Sequence, residues 1–201
     1  MLKKLLKNTR FKSEIKGFFK ENEEELIDIV LFGSSVKGKE KPKDIDILLI
    51  YKKKKNLDLD YELKNRLRKY YENVQIVSKT YKELFSPAFK AKEAFLSEGY
   101  STIQDIFVSK GFGYINKVLF RYNLKNLNKS QRMRFYYSLY GRKKKEKGML
   151  DKLDAVKFSE TIILCSVENY EKMKEYLDNW NIDYIEFPIL IPERIIELIS
   201  K

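Results

Sequence analysis

Apolar and polar positions recur along this chain with two different periods, and the changes of period mark its elements. Over residues 1–28 the side chains Leu2, Leu5, Leu6, Phe11, Ile15, Phe18 and Phe19 fall at the three- and four-residue steps of one helix face. That spacing predicts a helix. Ile29–Phe32 is an unbroken apolar run that stops at Gly33, the pattern of a short buried strand. A turn-rich basic stretch follows, and Asp44-Ile45-Asp46-Ile47-Leu48-Leu49-Ile50-Tyr51 reads as a second strand with Lys52–Lys55 as its solvated tip. Helical spacing returns over residues 58–72, and Val74–Val77 reads as a third short strand. Two strands joined by a short loop, then a helix and a third strand, form one α/β unit.

The second half repeats neither the order nor the sequence of the first. Residues 80–100 follow a helical pattern that ends at Gly99, and residues 100–108 suit a hairpin arm. Lys129–Arg142 predicts a basic, tyrosine-rich helix broken by Gly141 and the lysine run after it. A strand over 161–167, a helix over 168–179 and a strand over 183–191 form a second α/β unit, and Pro192 opens a last helix through Ile199. The expected class is α+β: a short mixed sheet flanked by helices in residues 1–120, then a smaller basic α/β region in residues 121–201.

Composition narrows the chemistry more than the fold. A chain of 201 residues with 43% hydrophobic content supports one substantial core or two small ones. No apolar run approaches the ~20 residues of a membrane span, and Met1–Lys7 has charge without an apolar stretch to follow. A cytoplasmic protein with no membrane partner is expected. The single cysteine, Cys165, sits inside an apolar run and reads as a buried hydrophobe. Histidine is absent, which excludes Ser-His and Cys-His mechanisms and every histidine metal ligand. Catalysis must then rest on carboxylates, lysine, tyrosine or an oxygen-ligated metal, and such sites favour magnesium or manganese. A net charge of +12 suits a polyanionic partner such as RNA, although lysine-rich chains also occur in proteins from hot or AT-rich organisms.

One stretch carries specific chemistry: Phe32-Gly33-Ser34-Ser35-Val36-Lys37-Gly38, followed by Lys43-Asp44-Ile45-Asp46-Ile47. A strand that ends in glycine lets a ligand approach the backbone closely. The next residue offers a hydroxyl and an N–H at the start of a helix, a ready phosphate site. Asp44 and Asp46 are two apart in a strand, so both carboxylates point one way while Ile45 and Ile47 face the core. Two adjacent carboxylates repel unless a cation lies between them, and with no histidine or thiolate pair at hand a hard divalent ion is the natural partner. The alternative is a hairpin whose aspartates merely solvate an edge strand, although strands disfavour aspartate.

This pattern resembles the DNA polymerase β-type nucleotidyltransferase superfamily, above all its small stand-alone "minimal" members. The resemblance rests on Gly33-Ser34, Val36, Lys37, Gly38, Asp44 and Asp46, about twenty residues directly, with the α/β order of residues 25–80 around them. It implies a polymerase β-like core that moves a nucleoside monophosphate from an NTP, ATP among the candidates, to an acceptor hydroxyl on an RNA end, a protein or a small molecule. It also implies that Asp44 and Asp46 hold magnesium (or manganese) and that Gly33 and Ser34, helped by Lys37, bind the triphosphate. One position departs from the pattern. The family carries a third carboxylate on the neighbouring strand, and the equivalent position here is neutral Gln75. Glu72, Asp58, Asp60 and Asp105 are the candidates to replace it. A degenerate fold that binds nucleic acid or protein without catalysis is the alternative function.

Two further stretches have plainer readings. Lys110-Gly111-Phe112-Gly113-Tyr114-Ile115 opens like the RNP1 motif of RNA-recognition domains, but Lys117 stands where the final aromatic belongs, so it reads as a glycine turn. Arg132, Arg134, Phe135, Tyr136, Tyr137, Tyr140, Arg142, Lys143, Lys144 and Lys145 interleave basic and aromatic side chains, which suits stacking on single-stranded bases with phosphate contacts. The competing reading is a helix with its aromatics in the core and a solvated basic face. Trp180 is expected to close a helix end against the second core.

Overall fold

In the computed structural model, which describes residues 8–38, 44–142 and 147–195, the chain divides into two units, Met1–Phe112 and Gly113–Lys201. The first opens with helix α1 (Thr9–Glu21), whose N-terminus is capped by the Asn8 side chain accepting from the Phe11 amide at 3.2 Å. It buries Phe11, Ile15 and Phe18. The helix ends before the expected residue 28, and residues 1–7 of that expectation lie outside the described ones. Asn22 stops it by donating its side-chain amide to the Phe18 carbonyl at 2.9 Å, and Leu26 already begins a strand. Pairing with a neighbouring strand there outweighs a helical pattern carried by few apolar residues.

That strand, β1 (Leu26–Phe32), runs antiparallel to β2 (Asp44–Tyr51). Helix α2 (Leu57–Leu67) then crosses over to β3 (Asn73–Thr80), which lies parallel to β2. Short helices α3 (Tyr81–Leu84) and α4 (Lys92–Glu98) lead to the hairpin strands β4 (Tyr100–Ser101) and β5 (Ile106–Phe107), and α5 (Val108–Gly111) ends the unit. The sheet order is β3-β2-β1-β4-β5, a mixed sheet flanked by helices, as expected. Its two faces are covered differently. The Tyr51 hydroxyl donates to Asp60 of α2 at 2.7 Å, and Lys12 of α1 reaches Asp105, which also accepts from Tyr100. Both long helices therefore lie on the face of Leu31, Ile47, Tyr51 and Tyr100. The other face packs Val30, Leu48 and Ile50 under Leu84 and Phe89, with Phe32, Phe95 and Val108 against them. This cover stops at Leu48. Asp46 and Asp44, the next two positions on that face, are left half-buried.

The second unit starts with strand β6 (Tyr114–Tyr122) and helix α6 (Lys129–Tyr140). A short helix α7 (Met149–Lys152) precedes β7 (Val156–Ser159) and β8 (Ile162–Ser166), and helix α8 (Tyr170–Asn179) leads to β9 (Tyr184–Pro192). The strand order β7-β8-β6-β9, antiparallel throughout, is the split β-α-β-β-α-β arrangement. Phe120, Phe135, Leu139, Ile163, Cys165, Met173 and Leu177 fill its core. Burial pushes the Cys165 thiol up to about 12, consistent with an inert side chain. Trp180, just past α8, packs edge-on against Phe135 with ring centroids 5.6 Å apart.

Two further boundaries differ from the expected ones. Position 120 falls inside β6, where the buried polar Asn116 breaks the inward apolar set of Val118, Phe120 and Tyr122. Pro192 is still the last residue of β9, an edge strand, where proline's missing donor costs least. Glu193–Ile195 then forms a single 3-10 turn, and the remainder of the expected last helix lies outside the described residues. No helix among the described residues is long and apolar enough to cross a membrane.

Candidate functional site

The antiparallel pairing of β1 and β2 sets Phe32 opposite Asp46, so the chain leaves β1 beside that carboxylate. Gly33 turns there with φ +72, a left-handed conformation. A Cβ built on Gly33 would lie 2.4 Å from Asp46 Oδ2. Glycine is thus required twice, by backbone conformation and by the carboxylate against it. The expected helix after Gly33 is one 3-10 turn, Gly33–Ser35, closed by the Val36 amide donating to the Gly33 carbonyl at 3.1 Å. Ser35 is buried and donates its hydroxyl to the Phe32 carbonyl at 3.0 Å, which anchors the turn and leaves Ser34 half-buried at its bend. Gly38 also takes a positive φ, +91, and residues 39–43 lie outside the described ones. Gly33→Ala is expected to cost about 1–3 kcal/mol through backbone strain and to displace Asp46. Urea unfolding checks the first effect and loss of nucleotide binding the second.

Asp44 and Asp46 share one face of β2, with Ile45 and Ile47 fully buried on the other. The parallel pairing with β3 sets Asn73 opposite Asp44 and Gln75 opposite Asp46. Residues paired across a ladder point the same way, so both amides stand on the face of the aspartates. Burial raises the Asp46 carboxyl above the usual carboxylate range, and the Asp44 charge adds to the shift. Asn73 was missed by a strand drawn from Val74; extending the two-residue alternation back by one position finds it.

Among the described residues, none of the four candidate carboxylates stands beside Gln75. Asp60 accepts from Tyr51 and from the Ser78 hydroxyl, and Asp105 binds Lys12 at 2.7 Å, both on the opposite face of the sheet. Asp58 is exposed in the first turn of α2, and Glu72, one residue before Asn73, falls on the other side of the alternation. Among the described residues, no group of three or more His, Cys, Asp or Glu side chains gathers where it could hold a metal ion. Lys37 does stand next to the Gly33 turn, but its Nζ is 2.7 Å from Glu98 Oε1, a carboxylate only 8% exposed at the end of α4. Nothing in the sequence links these two residues, which are brought together only by the packing of α4 on the sheet.

In the second unit the basic residues part company. Arg132 Nε donates to the Leu124 and Leu127 carbonyls at 3.1 and 2.8 Å, holding the loop before α6. Arg134 is exposed, and the Arg142 guanidinium lies 5.5 Å from the centre of the Tyr137 ring. Lys143, Lys144 and Lys145 lie outside the described residues. Of the aromatics on α6, Phe135 enters the core, while Tyr136 and Tyr137 stay exposed. The RNP1-like residues do not form one strand: Lys110 and Gly111 end α5, and only Tyr114 and Ile115 lie in β6.

Residues 13–95 match the family model described as "Polymerase beta, Nucleotidyltransferase", and they form a nucleotidyltransferase domain of that type. A comparison with curated proteins gives no match. Two solved structures are similar over 50% of this chain and 83% of their own, each with a TM-score of 0.37. One is a mutant of the toxin-antitoxin MntA-HpeT, 21% identical, and the other a toxin-antitoxin with AMP-PNP, 23% identical.

Proposed function

We propose that the nucleotidyltransferase domain of residues 13–95 binds a nucleoside triphosphate and transfers its nucleoside monophosphate to an acceptor hydroxyl. The observation that carries this reading is the close approach of the Gly33 turn to the Asp46 carboxylate, which sets the backbone of a glycine-serine turn beside a pair of charges. Asp44 and Asp46 offer oxygen donors on one face, and burial and mutual repulsion already disfavour the Asp46 charge. That donor set fits magnesium or manganese. Asp44 and Asp46 would hold the ion, whose charge would offset the negative charge that builds on the transferring phosphate. Gly33, lacking a side chain, lets the turn close on Asp46, so that a phosphate held at the turn would lie beside the carboxylates, and Ser34 supplies a hydroxyl donor there. In the transfer the acceptor oxygen bonds to the α-phosphorus, the bond to the bridging oxygen breaks, and pyrophosphate leaves. Lys37, paired with Glu98, adds positive charge at the edge of this site.

Thermal stability in the presence of ATP, CTP, GTP and UTP tests binding. The favoured nucleotide should stabilise the protein only with magnesium, by about 2.7 kcal/mol at a hundredfold excess over Kd. No magnesium-dependent shift with any of the four removes the reading. Incubation with labelled NTPs and total cellular RNA and protein then identifies the acceptor as an RNA end, a protein or a small molecule.

Gln75 opposite Asp46 favours a second reading, a degenerate fold that binds nucleotide, nucleic acid or protein without transfer. The acceptor proton has no carboxylate to receive it at that position. Magnesium-dependent nucleotide binding with no labelled product selects this second reading.

A further inference from the structure

A cavity of about 360 Å³ opens on the second unit, far along the chain from the nucleotidyltransferase residues. Its walls are Tyr122, Met133, Phe135, Tyr136 and Tyr140. Tyr136 and Met133 are 52% and 51% exposed on α6, an unusual placement for large apolar surface unless something covers it. Tyr136 and Tyr140 pack against each other with ring centroids 4.5 Å apart, and Tyr122 packs edge-on against the buried Phe135, which fixes the floor. The Tyr122 hydroxyl is held by the Glu160 carbonyl at 3.1 Å.

The lining carries two cations and one carboxylate: Lys129, Arg132 and Glu160, of which Glu160 is paired with Lys157 Nζ at 2.7 Å. Arg132 is fixed through its Nε to the Leu124 and Leu127 carbonyls, and its two terminal nitrogens take no partner among the described residues. Helix α6, Lys129–Tyr140, carries Lys129, Arg132 and Arg134 with no acidic residue. Lys157 Nζ lies 5.6 Å from the centre of the Tyr140 ring. The exposed Tyr136 ring beside Lys129 and Arg132 suits an occupant that is aromatic and carries negative charge. The volume, at the low end of the ~300–1,000 Å³ of small-ligand sites, suits a single base with its sugar.

We propose that this cavity takes one base of a single-stranded nucleic acid, stacked on Tyr136, with the adjoining phosphate at Lys129 and Arg132. Stacking on an aromatic face needs no particular base, and the phosphate contacts supply salt-dependent affinity. The proposal stands apart from the transfer reading, because it involves neither Asp44 nor Asp46.

Anisotropy of a labelled 12-nucleotide single strand, as RNA and as DNA, and of the matching duplex tests it at low salt in EDTA without nucleotide. The full-length protein should bind the single strand of at least one chemistry more tightly than the duplex. Tyr136→Ala should weaken that binding about tenfold, within the ~5–150-fold that one stacked base is worth. Tyr136→Phe should retain it, and the salt slope should stay that of the wild type in both. Lys129→Gln should instead make the salt slope shallower by about one. Should Tyr136→Ala unfold early, Met133→Ala on the same wall should show the same loss. Asp44→Asn/Asp46→Asn should bind the strand as the wild type does, whatever becomes of nucleotide binding. Wild-type affinity in Tyr136→Ala and Met133→Ala overturns the proposal, as do equal losses for single strand and duplex. Failure to bind either strand also overturns it and leaves a protein segment as the occupant.

Discussion

Asp44→Asn/Asp46→Asn should abolish magnesium-dependent nucleotide binding and leave the protein folded. Both side chains are half-buried on the open end of one sheet face, where the apolar cover from Leu84 and Phe89 has already stopped. An amide replaces each carboxylate at nearly the same volume, so packing changes little. What disappears is the paired negative charge. The variant should also gain stability over the wild type in metal-free buffer. The folded state raises the Asp46 carboxyl above its ordinary value of 3.8. A raised carboxyl favours the folded state fully below that value, and the advantage is lost as pH rises through the raised one. Metal-free wild type is therefore penalised at neutral pH and not in acid. The stability gap between variant and wild type should open as pH rises above about 4 and shrink when magnesium is added to the wild type. Urea titrations from pH 3.5 to 7.5, with and without magnesium, measure it. Unchanged nucleotide affinity in the double variant would remove these residues from the site.

Gln75→Asp should raise any transfer activity by about 10²–10⁴-fold, the range of a positioned general base. Gln75 is the lateral partner of Asp46 on a neighbouring parallel strand and is exposed on the same face. A carboxylate there stands beside the two existing ones without any movement of the backbone. It can take the acceptor proton and add a third oxygen charge for the metal. The variant should be less stable without magnesium, because three like charges then share one surface, and should respond to magnesium more strongly than the wild type. Single-turnover rates and magnesium titrations separate the two effects. Gln75→Ala should leave a wild-type activity unchanged unless the amide oxygen is itself a ligand. Tighter magnesium binding without a faster rate would show that the missing base is not what limits the chemistry.

The two variants bear on the two readings differently. Loss of binding in the first with no gain in the second describes an active enzyme whose acceptor proton leaves by another route. Loss in the first with a large gain in the second describes a nucleotide-binding fold that has lost its base.

The elements around the site were legible because their patterns are local. The isoleucines alternating with Asp44 and Asp46 place both carboxylates on one face of a strand without any tertiary information, since the strand period is two. The end of β1 at Gly33 was legible from the glycine that stops its apolar run, whereas the helix expected there is one 3-10 turn. Strand β6 was hidden because polar Asn116 lies on its inward side with Val118, Phe120 and Tyr122, while apolar Leu119 lies on its outer side, and both blur the alternation. The end of α1 was hidden because Leu26 fits a helix stripe as well as it fits its pairing with Tyr51.

Chain order and side-chain type by themselves determined the donor chemistry of this protein. Without histidine and with one buried thiol, oxygen atoms are the donors that remain, and the metal proposed for Asp44 and Asp46 is accordingly a hard one. Only the tertiary structure decided which residues meet. The register of β2 on β3 sets Gln75 beside Asp46, because hydrogen-bonded ladders tie lateral neighbours that are remote along the chain. The closing of β1 onto β2 presses Gly33 against the same carboxylate, and the packing of α4 pairs Glu98 with Lys37. Asp60 and Asp105, plausible by sequence as a third ligand, were removed by the side of the sheet on which α1 and α2 pack. A carboxylate on the wrong face of a sheet lies behind a layer of buried backbone and apolar side chains, however near it is in sequence.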